Sequence, residues 1–377
     1  MKYFDYAAST SLDEEAAKTY VKAATEYYGN SSSLHDTGDV AHELLESCRV
    51  GFAHMLGVPK EGIYFTGSGS EGNYLSIQAL LSAPQKQGKH IISGMAEHSS
   101  VRNTLEKLKQ FGYEVTFLPF NREGRIEVAD VQEAIRKDTV LISLQHGNPE
   151  IGTLQPIEEV SDLCRKHDIL LHSDCVQSFG KVDLTRIAQS VDSLTISGHK
   201  FHGPKGVGLA FVHPRLQWVP YLEGTSHENG FRPGTVNVPA IASMFVAAQR
   251  AIEQLEKNRQ HINQLYDVFM KAIVPVKEKF IVYPSDVRST IGMRIKGLEG
   301  QVVMLECNRY GFAISTGSAC QASEQSSSKT MTAMGVKGKD AKEFIRISFG
   351  KDTTKNVIQQ LGETLVTIIE ESNVKHG

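Results

Sequence analysis

A lysine among histidines is the first group in the sequence that could do chemistry. Lys200 follows the β-rich run Ser193–Ser197, and His199, His202 and Lys205 lie within five residues of it. A lysine that is partly withdrawn from water and near other cations has a lowered pKa, so its amine can act as a nucleophile. The alternative is a solvated turn on the surface, and Lys205 is the nearby rival for the same role.

Two further segments could bind a ligand at the ends of predicted strands. Asp174 follows the apolar run 169–171, where a carboxylate can pair with a protonated ring nitrogen. The other interpretation of Asp174 is a helix N-cap. The loop 66–73, which contains Gly69 and Ser70, joins a predicted strand to a predicted helix. Its small residues and the helix N-terminus suit an anion, although a plain turn has the same composition.

One cysteine lies within a long run of small polar residues. Cys320 is in the middle of segment 315–328, whose composition argues against burial. An exposed thiol in a flexible loop is a candidate nucleophile, whereas a buried thiol is usually inert. Cys48 and Cys164 lie in helical patterns and are interpreted as packing residues. The five cysteines have no metal-clip spacing, so we expect free thiols, no metal site and a cytoplasmic location.

An alternation of strands and helices must position these groups. Between about residues 60 and 215, β-rich runs alternate with helical stretches, which predicts an α/β fold with a mostly parallel sheet. The predicted strands are 63–66, 90–93, 114–118, 140–144, 169–172, 193–197 and 207–212. A long helix is predicted over 238–273. A smaller α+β region follows, with strands 290–295 and 344–348 and a helix near 300–309.

The bulk properties exclude several classes of partner. A chain of 377 residues favours one large domain and a smaller one. The net charge of −3 gives no reason to expect nucleic acid or an anionic membrane as a partner. No apolar run approaches the roughly 20 residues that a bilayer-spanning helix needs.

Taken together, these segments resemble the NifS/IscS cysteine desulfurases, in the class V aminotransferase branch of fold-type I pyridoxal-phosphate enzymes. The resemblance runs nearly end to end. Ten short segments in the right order carry it: 5–10, 29–35, 65–71, 97–98, 150–153, Asp174 with Gln177, 197–206, 232–235, the Cys320 segment and 346–348. It implies an α/β fold with a large, mostly parallel seven-stranded sheet domain of residues 12–259. Residues 1–11 and 260–377 would form a smaller α+β domain that carries the Cys320 loop.

The resemblance also implies roles for individual residues in binding pyridoxal 5'-phosphate. Lys200 would hold the cofactor covalently, Asp174 would bind its pyridinium nitrogen, and Gln177 would bond its ring hydroxyl. His98 would stack on the ring. The phosphate would be held by Gly69, Ser70, Ser197 and His199, and by Thr235 of a neighbouring subunit in a homodimer with shared active sites.

The same resemblance implies a reaction and a partner. Arg346 would pair with the α-carboxylate of L-cysteine, a role suited to a bidentate guanidinium. Cys320 would attack the substrate sulfur, which leaves alanine and a persulfide on Cys320. A mobile loop could then carry the persulfide out of the pocket to a scaffold or other acceptor protein. The sulfur would serve iron–sulfur cluster or thio-cofactor assembly.

Three positions depart from the pattern of that family. Pro149 stands where asparagine is usual and has no side-chain donor, so Asn148 is the candidate substitute for binding substrate. Asn229 stands where arginine is usual, and residues 224–226 replace a glycine-rich run. These departures keep two alternatives open. One is a related lyase or aminotransferase that acts on another amino acid, and the other is a non-catalytic, partner-binding homologue.

Overall fold

The computed structural model describes residues 1–83, 87–316 and 328–376. The strands are β1 (Lys2–Tyr3), β2 (Ile63–Thr66), β3 (His90–Gly94), β4 (Glu114–Leu118), β5 (Thr139–Gln145), β6 (Leu170–Asp174), β7 (Ser193–Ser197), β8 (Gly208–Val212), β9 (Phe280–Val282), β10 (Thr290–Ile295), β11 (Phe312–Ala313) and β12 (Phe344–Ser348). The helices are α1 (Glu14–Glu26), α2 (Asp36–Leu56), α3 (Gly69–Ser82), α4 (Ser99–Lys109), α5 (Val128–Ala134), α6 (Ile157–His167), α7 (Thr185–Ser190), α8 (Val238–Glu253), α9 (Leu255–Ala272), α10 (Gly300–Arg309), α11 (Lys329–Ala333), α12 (Lys339–Lys342) and α13 (Lys355–His376).

A seven-stranded sheet is the centre of the larger part of the molecule. Its strand order is β2-β8-β7-β6-β5-β3-β4. Strand β8 is antiparallel to both of its neighbours, and the other paired strands are parallel. The predicted α/β fold with a mostly parallel sheet is therefore confirmed, and all seven predicted strands are present.

Both faces of this sheet are buried. Ile92, Ile142 and Leu171 pack into one hydrophobic cluster, beneath helices such as α2 and α8. Their chain neighbours Ile91 and Leu141 belong to a second cluster on the opposite face. Successive side chains of a strand point to opposite faces, so a strand that is covered on both sides must be apolar throughout. This is why the strands appear in the sequence as continuous apolar runs.

A second core surrounds a three-stranded antiparallel sheet of order β12-β10-β9. Phe269, Ile291, Ile347 and Leu365 pack there with Phe4, which the N-terminal strand brings in because β1 pairs with β11. Residues near both ends of the chain thus share one core. On this basis we propose a large domain of residues 12–259 and a small domain of residues 1–11 and 260–377.

The predicted long helix over 238–273 is wrong as a single helix. The structure has α8 and α9, separated at Gln254, whose φ of −99° and ψ of 7° are not helical. Helix α8 packs against α1 and α2 of the larger part, whereas α9 packs against α13 of the second core. The break falls where the packing partner changes. Among the described residues, no helix combines the length and apolar character that a membrane span requires.

Candidate active site

The carboxyl ends of two neighbouring strands place three predicted site residues together. Strand β6 ends at Asp174 and strand β7 ends at Ser197, and these strands pair in parallel. A 3₁₀ turn, Gly198–Lys200, follows β7 at once and carries Lys200. Ligands of open α/β sheets bind at such strand ends. The helix N-cap that was the alternative for Asp174 does not form, since a turn and not a helix follows β6.

The start of helix α3 lies against the same strand ends. A Cβ atom on Gly69 would lie 2.8 Å from Val176 Cγ2 and 3.1 Å from Ser197 Cβ, so only glycine lets the helix approach this closely. Ser68 caps the helix, because its hydroxyl oxygen accepts a hydrogen bond from Glu71 N. Within the described ranges, the N–H groups of Gly69 and Ser70 donate to no protein acceptor. Two unused donors at a helix start beside a serine suit an anion.

A buried chain of hydrogen bonds holds Asp174. Asn73 Nδ2 donates to Asp174 Oδ2 at 2.7 Å and to Ser100 Oγ at 3.0 Å. Asn73 Oδ1 lies 3.1 Å from His172 Nε2, and His172 Nδ1 lies 2.6 Å from Ser193 Oγ. Because Asn73 Oδ1 can only accept, His172 carries its proton on Nε2 and accepts from the serine hydroxyl. Burial lowers the pKa of His172 to about 3, so the ring is neutral.

His98 is close enough to the buried chain and to the lysine to be influenced by the charges of both. It precedes helix α4, and its Nδ1 accepts a hydrogen bond from the N–H of Ser100 at 3.2 Å. The surrounding protein lowers the pKa of His98, Asp174 opposes that shift, and the cations Lys200 and Lys329 add to it. The imidazole is therefore neutral at physiological pH, and it interacts electrostatically with the Asp174 carboxylate and the Lys200 amine. Asp174, His98 and Lys200 form one electrostatic cluster.

Lys200 is hydrogen-bonded to the backbone of the N-terminal segment. Lys200 Nζ donates to the carbonyl oxygens of Ala7 and Ala8 at 2.7 and 2.9 Å. Gln177 Nε2 donates to the same Ala7 oxygen at 2.9 Å, and Lys181 Nζ donates to Gln177 Oε1 at 3.0 Å. Since an ammonium only donates and a carbonyl only accepts, the Gln177 amide has one orientation, with its oxygen towards Lys181.

His199 links the lysine turn to the N-terminal segment. Its carbonyl oxygen accepts a hydrogen bond from Thr10 N at 2.9 Å, and its ring Nδ1 lies 3.3 Å from Ser9 Oγ. Burial and the positive charges of Lys200 and Lys205 together lower the pKa of His199 to about 4. Lys205, the rival for the reactive amine, is exposed.

Arg346 is buried on strand β12 and is held from two sides. Its Nη2 donates to Asp5 Oδ1 at 2.6 Å, and its Nη1 donates to the carbonyl oxygen of Pro149 at 3.1 Å. The side chain is only 4% exposed. Pro149, which lacks a side-chain donor, therefore contributes through its backbone.

The side chain of Asn148 accepts hydrogen bonds from the backbone of its own turn. Its Oδ1 accepts from the N–H groups of Glu150 and Ile151, both at 2.9 Å, and its Nδ2 donates to Thr330 Oγ1 at 3.0 Å. Glu150 Oε2 accepts from Ser328 Oγ at 2.6 Å and from Thr330 N at 2.8 Å. The turn is thus bonded to the residues at the start of α11.

Two predicted residues are not among the contacts described above. Cys320 lies outside the described residues. Thr235 is exposed and shares no hydrogen bond with any residue in the described ranges. The four described cysteines are buried, and burial raises the pKa of each thiol to about 12: Cys48, Cys164, Cys175 and Cys307. The interpretation of Cys48 and Cys164 as packing residues agrees with this burial.

Sequence reasoning missed two polar residues of the site. Asn73, which holds Asp174, lies four residues after Gly69 and therefore on the same face of helix α3. Lys181, which orients the Gln177 amide, lies four residues after Gln177. The helical spacing from Gly69 could have indicated Asn73. A turn follows Gln177, so no regular spacing could have indicated Lys181.

The fold and this site define a class of protein, and the chain belongs to the class-V aminotransferase family. The model of that family matches residues 2–361. The fold and the family that the sequence resemblance implied are therefore confirmed.

Within this family, the chain is similar to proteins named for cysteine chemistry. It is 39% identical over 371 residues, 98% of each chain, to a putative cysteine desulfurase NifS of Halalkalibacterium halodurans. It is 41% identical to a putative cysteine desulfurase NifS of Bacillus subtilis, over 98% of this chain and 95% of that one. Its structure matches a NifS-like protein with a TM-score of 0.90 at 28% identity, covering 98% and 99% of the two chains. A structure titled SspA in complex with cysteine matches with a TM-score of 0.81 at 31% identity, covering 93% and 99%.

Proposed function

We propose that this protein is a pyridoxal 5'-phosphate-dependent cysteine desulfurase that converts L-cysteine to L-alanine and takes the sulfur on Cys320. The observation that carries the proposal is the convergence of Lys200, Asp174, His98 and the start of helix α3 at one edge of the sheet. The identity of the substrate is inferred from relatives, two of which are named putative cysteine desulfurases and one of which was solved with cysteine.

The residues of this site fit a phosphorylated aromatic aldehyde. The close approach of Gly69 to Ser197 leaves two helix-start N–H groups for a phosphate, and Ser70, Ser197 and His199 complete that site. Lys200 provides the amine that holds the aldehyde carbon. In a fully assembled protein, Thr235 of a second subunit completes the phosphate site.

Three other residues hold the ring. Asp174 keeps a proton on the ring nitrogen, and its carboxylate is held for this role by Asn73. His98, with its neutral imidazole, stacks on the ring, and Gln177 bonds the ring hydroxyl with its amide. When bound, the ring withdraws electrons from the substrate carbon.

The substrate carboxylate binds at Arg346. Asp5 and the Pro149 carbonyl fix the guanidinium before substrate arrives, so little ordering remains to be done on binding. Asn148 contributes to substrate binding by fixing the turn that carries this carbonyl, because its own amide already bonds Glu150 and Thr330.

Sulfur transfer is assigned to Cys320. Its thiolate attacks the substrate sulfur, so an S–S bond forms and the C–S bond breaks, and the carbon takes up a proton to become alanine. No external oxidant is needed, since cysteine and a thiol become alanine and a persulfide. A sulfur-acceptor or scaffold protein then takes the sulfur for iron–sulfur cluster or thio-cofactor assembly.

We further propose a cytoplasmic homodimer. Thr235 is exposed in one chain, which is consistent with a role in a neighbouring subunit. Large apolar side chains are also exposed, among them Leu34 at 100% and Tyr221 at 52%. The four described cysteines are free thiols, which suits a reducing compartment.

The direct test is alanine formation from L-cysteine by the cofactor-loaded protein in the presence of a reductant. We expect alanine and sulfide from the wild type and from Cys164→Ala, and no turnover by Cys320→Ser. Absence of alanine from loaded wild-type protein would contradict the function, and full activity of Cys320→Ser would contradict the role of Cys320. Lys200→Ala should lose the visible absorbance of the lysine-bound cofactor, whereas Lys205→Ala should keep it.

A further inference from the structure

A cavity of about 340 Å³ is lined by Lys200 and by residues outside the electrostatic cluster of Asp174, His98 and Lys200. Its wall is formed by α8, α9, the N-terminal segment and the residues after β12. Lys200 and Lys181 line it, but among the described residues Asp174, His98 and Arg346 do not. The wall of the cavity thus shares Lys200 with the electrostatic cluster but not Asp174 or His98.

The wall of this cavity carries more positive than negative charge. The basic lining residues are Lys181, Lys200, Arg250, Arg259, Arg288 and Lys351, and the acidic ones are Asp13 and Asp286. Both carboxylates already have cationic partners. Asp13 pairs with Arg250 at 3.0 Å and with Lys351 at 2.7 Å, and Asp286 pairs with Arg125 at 2.8 Å. The remaining cations are thus not balanced by these two acids.

Lys181 has a neutral hydrogen-bond partner. In the part of the chain that the structure describes, it makes no ion pair, and its amine donates to the neutral Gln177 Oε1. Burial and the like charges of Lys200 and Arg346 together lower the pKa of Lys181 to about 7. A half-buried ammonium without a counter-ion is destabilising, and an anion beside it would offset that free-energy cost.

We propose that this cavity binds a small carboxylate anion, with Lys181 as its anchor. Ammonium and guanidinium groups donate well to the two oxygens of a carboxylate. The side chains of Gln254, Asn258 and Asn263 line the same wall and offer further donors. A carboxylate placed beside Lys181 would supply the counter-charge to that ammonium.

Occupation of the cavity has a consequence for Lys200. The positive charges of Lys181 and Lys200 repel each other, and Lys181 also orients the Gln177 amide that shares the Ala7 oxygen with Lys200. When no cofactor is bound to Lys200, a bound anion would reduce that repulsion and so favour the protonated form of Lys200. This inference does not depend on the proposed desulfurase activity.

The test is a titration of the cofactor-loaded protein with ¹³C-labelled acetate, followed by NMR at pH 6 and pH 8. The anion binds the charged form of Lys181, so a group that titrates near 7 predicts affinity about tenfold weaker at pH 8 than at pH 6. Other charged or titratable groups near Lys181 or on the cavity wall are Lys200, Arg346, Tyr6, Asp13, His202, Arg250, Arg259, Asp286, Arg288 and Lys351.

Variants identify the site. Lys181→Met should abolish saturable acetate binding at pH 6, and Lys205→Met, which removes an exposed lysine, should leave it unchanged. Arg288→Met removes an exposed cation from the same wall, so it should keep the fold and weaken binding several-fold. Wild-type-like binding by Lys181→Met and Arg288→Met would overturn the proposal, as would no saturable binding at pH 6. Loss of binding in Arg346→Gln alone would place the anion at the substrate site and overturn it too.

Discussion

Replacement of Asn73 by alanine tests whether the buried hydrogen-bond chain serves the cofactor site. Asn73 is 1% exposed and donates to the carboxylate of Asp174 at 2.7 Å. A hydrogen bond to a charged group contributes about 1.5–3 kcal/mol. Without it, the Asp174 carboxylate loses the donor that fixes its position for the ring nitrogen. We therefore expect Asn73→Ala to weaken pyridoxal phosphate binding by roughly 10- to 150-fold.

The assay is a titration of the cofactor-free protein with pyridoxal phosphate between pH 6 and pH 8.5, followed by absorbance. The loss of affinity should be present across this pH range, because the hydrogen bond to Asp174 is missing at every pH. Asn237→Ala is the matched control, since Asn237 caps helix α8 by accepting a hydrogen bond from Ala240 N and is not part of the chain that holds Asp174. If Asn73→Ala and Asn237→Ala bind the cofactor within twofold of wild type at every pH, Asn73 has no such role.

Two further predictions concern stability. Glu228→Gln breaks a buried ion pair in which Arg49 donates to both carboxylate oxygens at 2.9 Å. The free energy of unfolding, measured by urea titration, should therefore fall by about 3–5 kcal/mol. A loss below about 1 kcal/mol would refute this role of the ion pair. The folded pKa of His172 is about 3, below the value near 6.5 in an unfolded chain. The unfolded chain therefore binds more protons as the pH falls from about 6.5 towards 3, and stability decreases in that window. His172→Gln should flatten the decrease by up to about 1.4 kcal/mol per pH unit, and His42→Gln, at an exposed position, should not.

The sheet could be predicted because its strands are buried on both faces. Continuous apolar residues between turn residues have few other structural solutions. The end of β6 shows the limit of this signal. Hydropathy placed the end at His172, whereas the strand continues through Ser173 to Asp174, because these polar residues pair with Leu144 and Gln145 of β5. Strand pairing, which hydropathy does not record, decides where such a strand ends.

The break between α8 and α9 could not be predicted for a related reason. The apolar positions Ile252 and Leu255 continue the helical pattern through Gln254, and neither glycine nor proline interrupts it. The break follows from a change of packing partner between the two cores, which is a property of the whole fold.

Most of the candidate site was predicted from strand ends and from the resemblance, because Asp174 and Lys200 follow strands that are themselves predictable. Contacts that join distant segments had no signal of their own. The bonds from Lys200 and Gln177 to the Ala7 oxygen cross more than 160 residues of chain, and their acceptor is a backbone atom. Every residue has a backbone carbonyl, so the sequence does not indicate which one will accept these hydrogen bonds.

The contact made by the Pro149 carbonyl affects how related sequences should be classified. Family signatures score side chains, so proline where asparagine is usual counts against membership. The contact with Arg346 is made by the main chain, and it persists under any substitution that keeps the turn 148–150 in shape. Variation at position 149 is therefore better judged by backbone geometry than by residue identity. A one-residue insertion or deletion in that turn would move the oxygen away from Arg346, and this is the change that should mark a chain as having left the group.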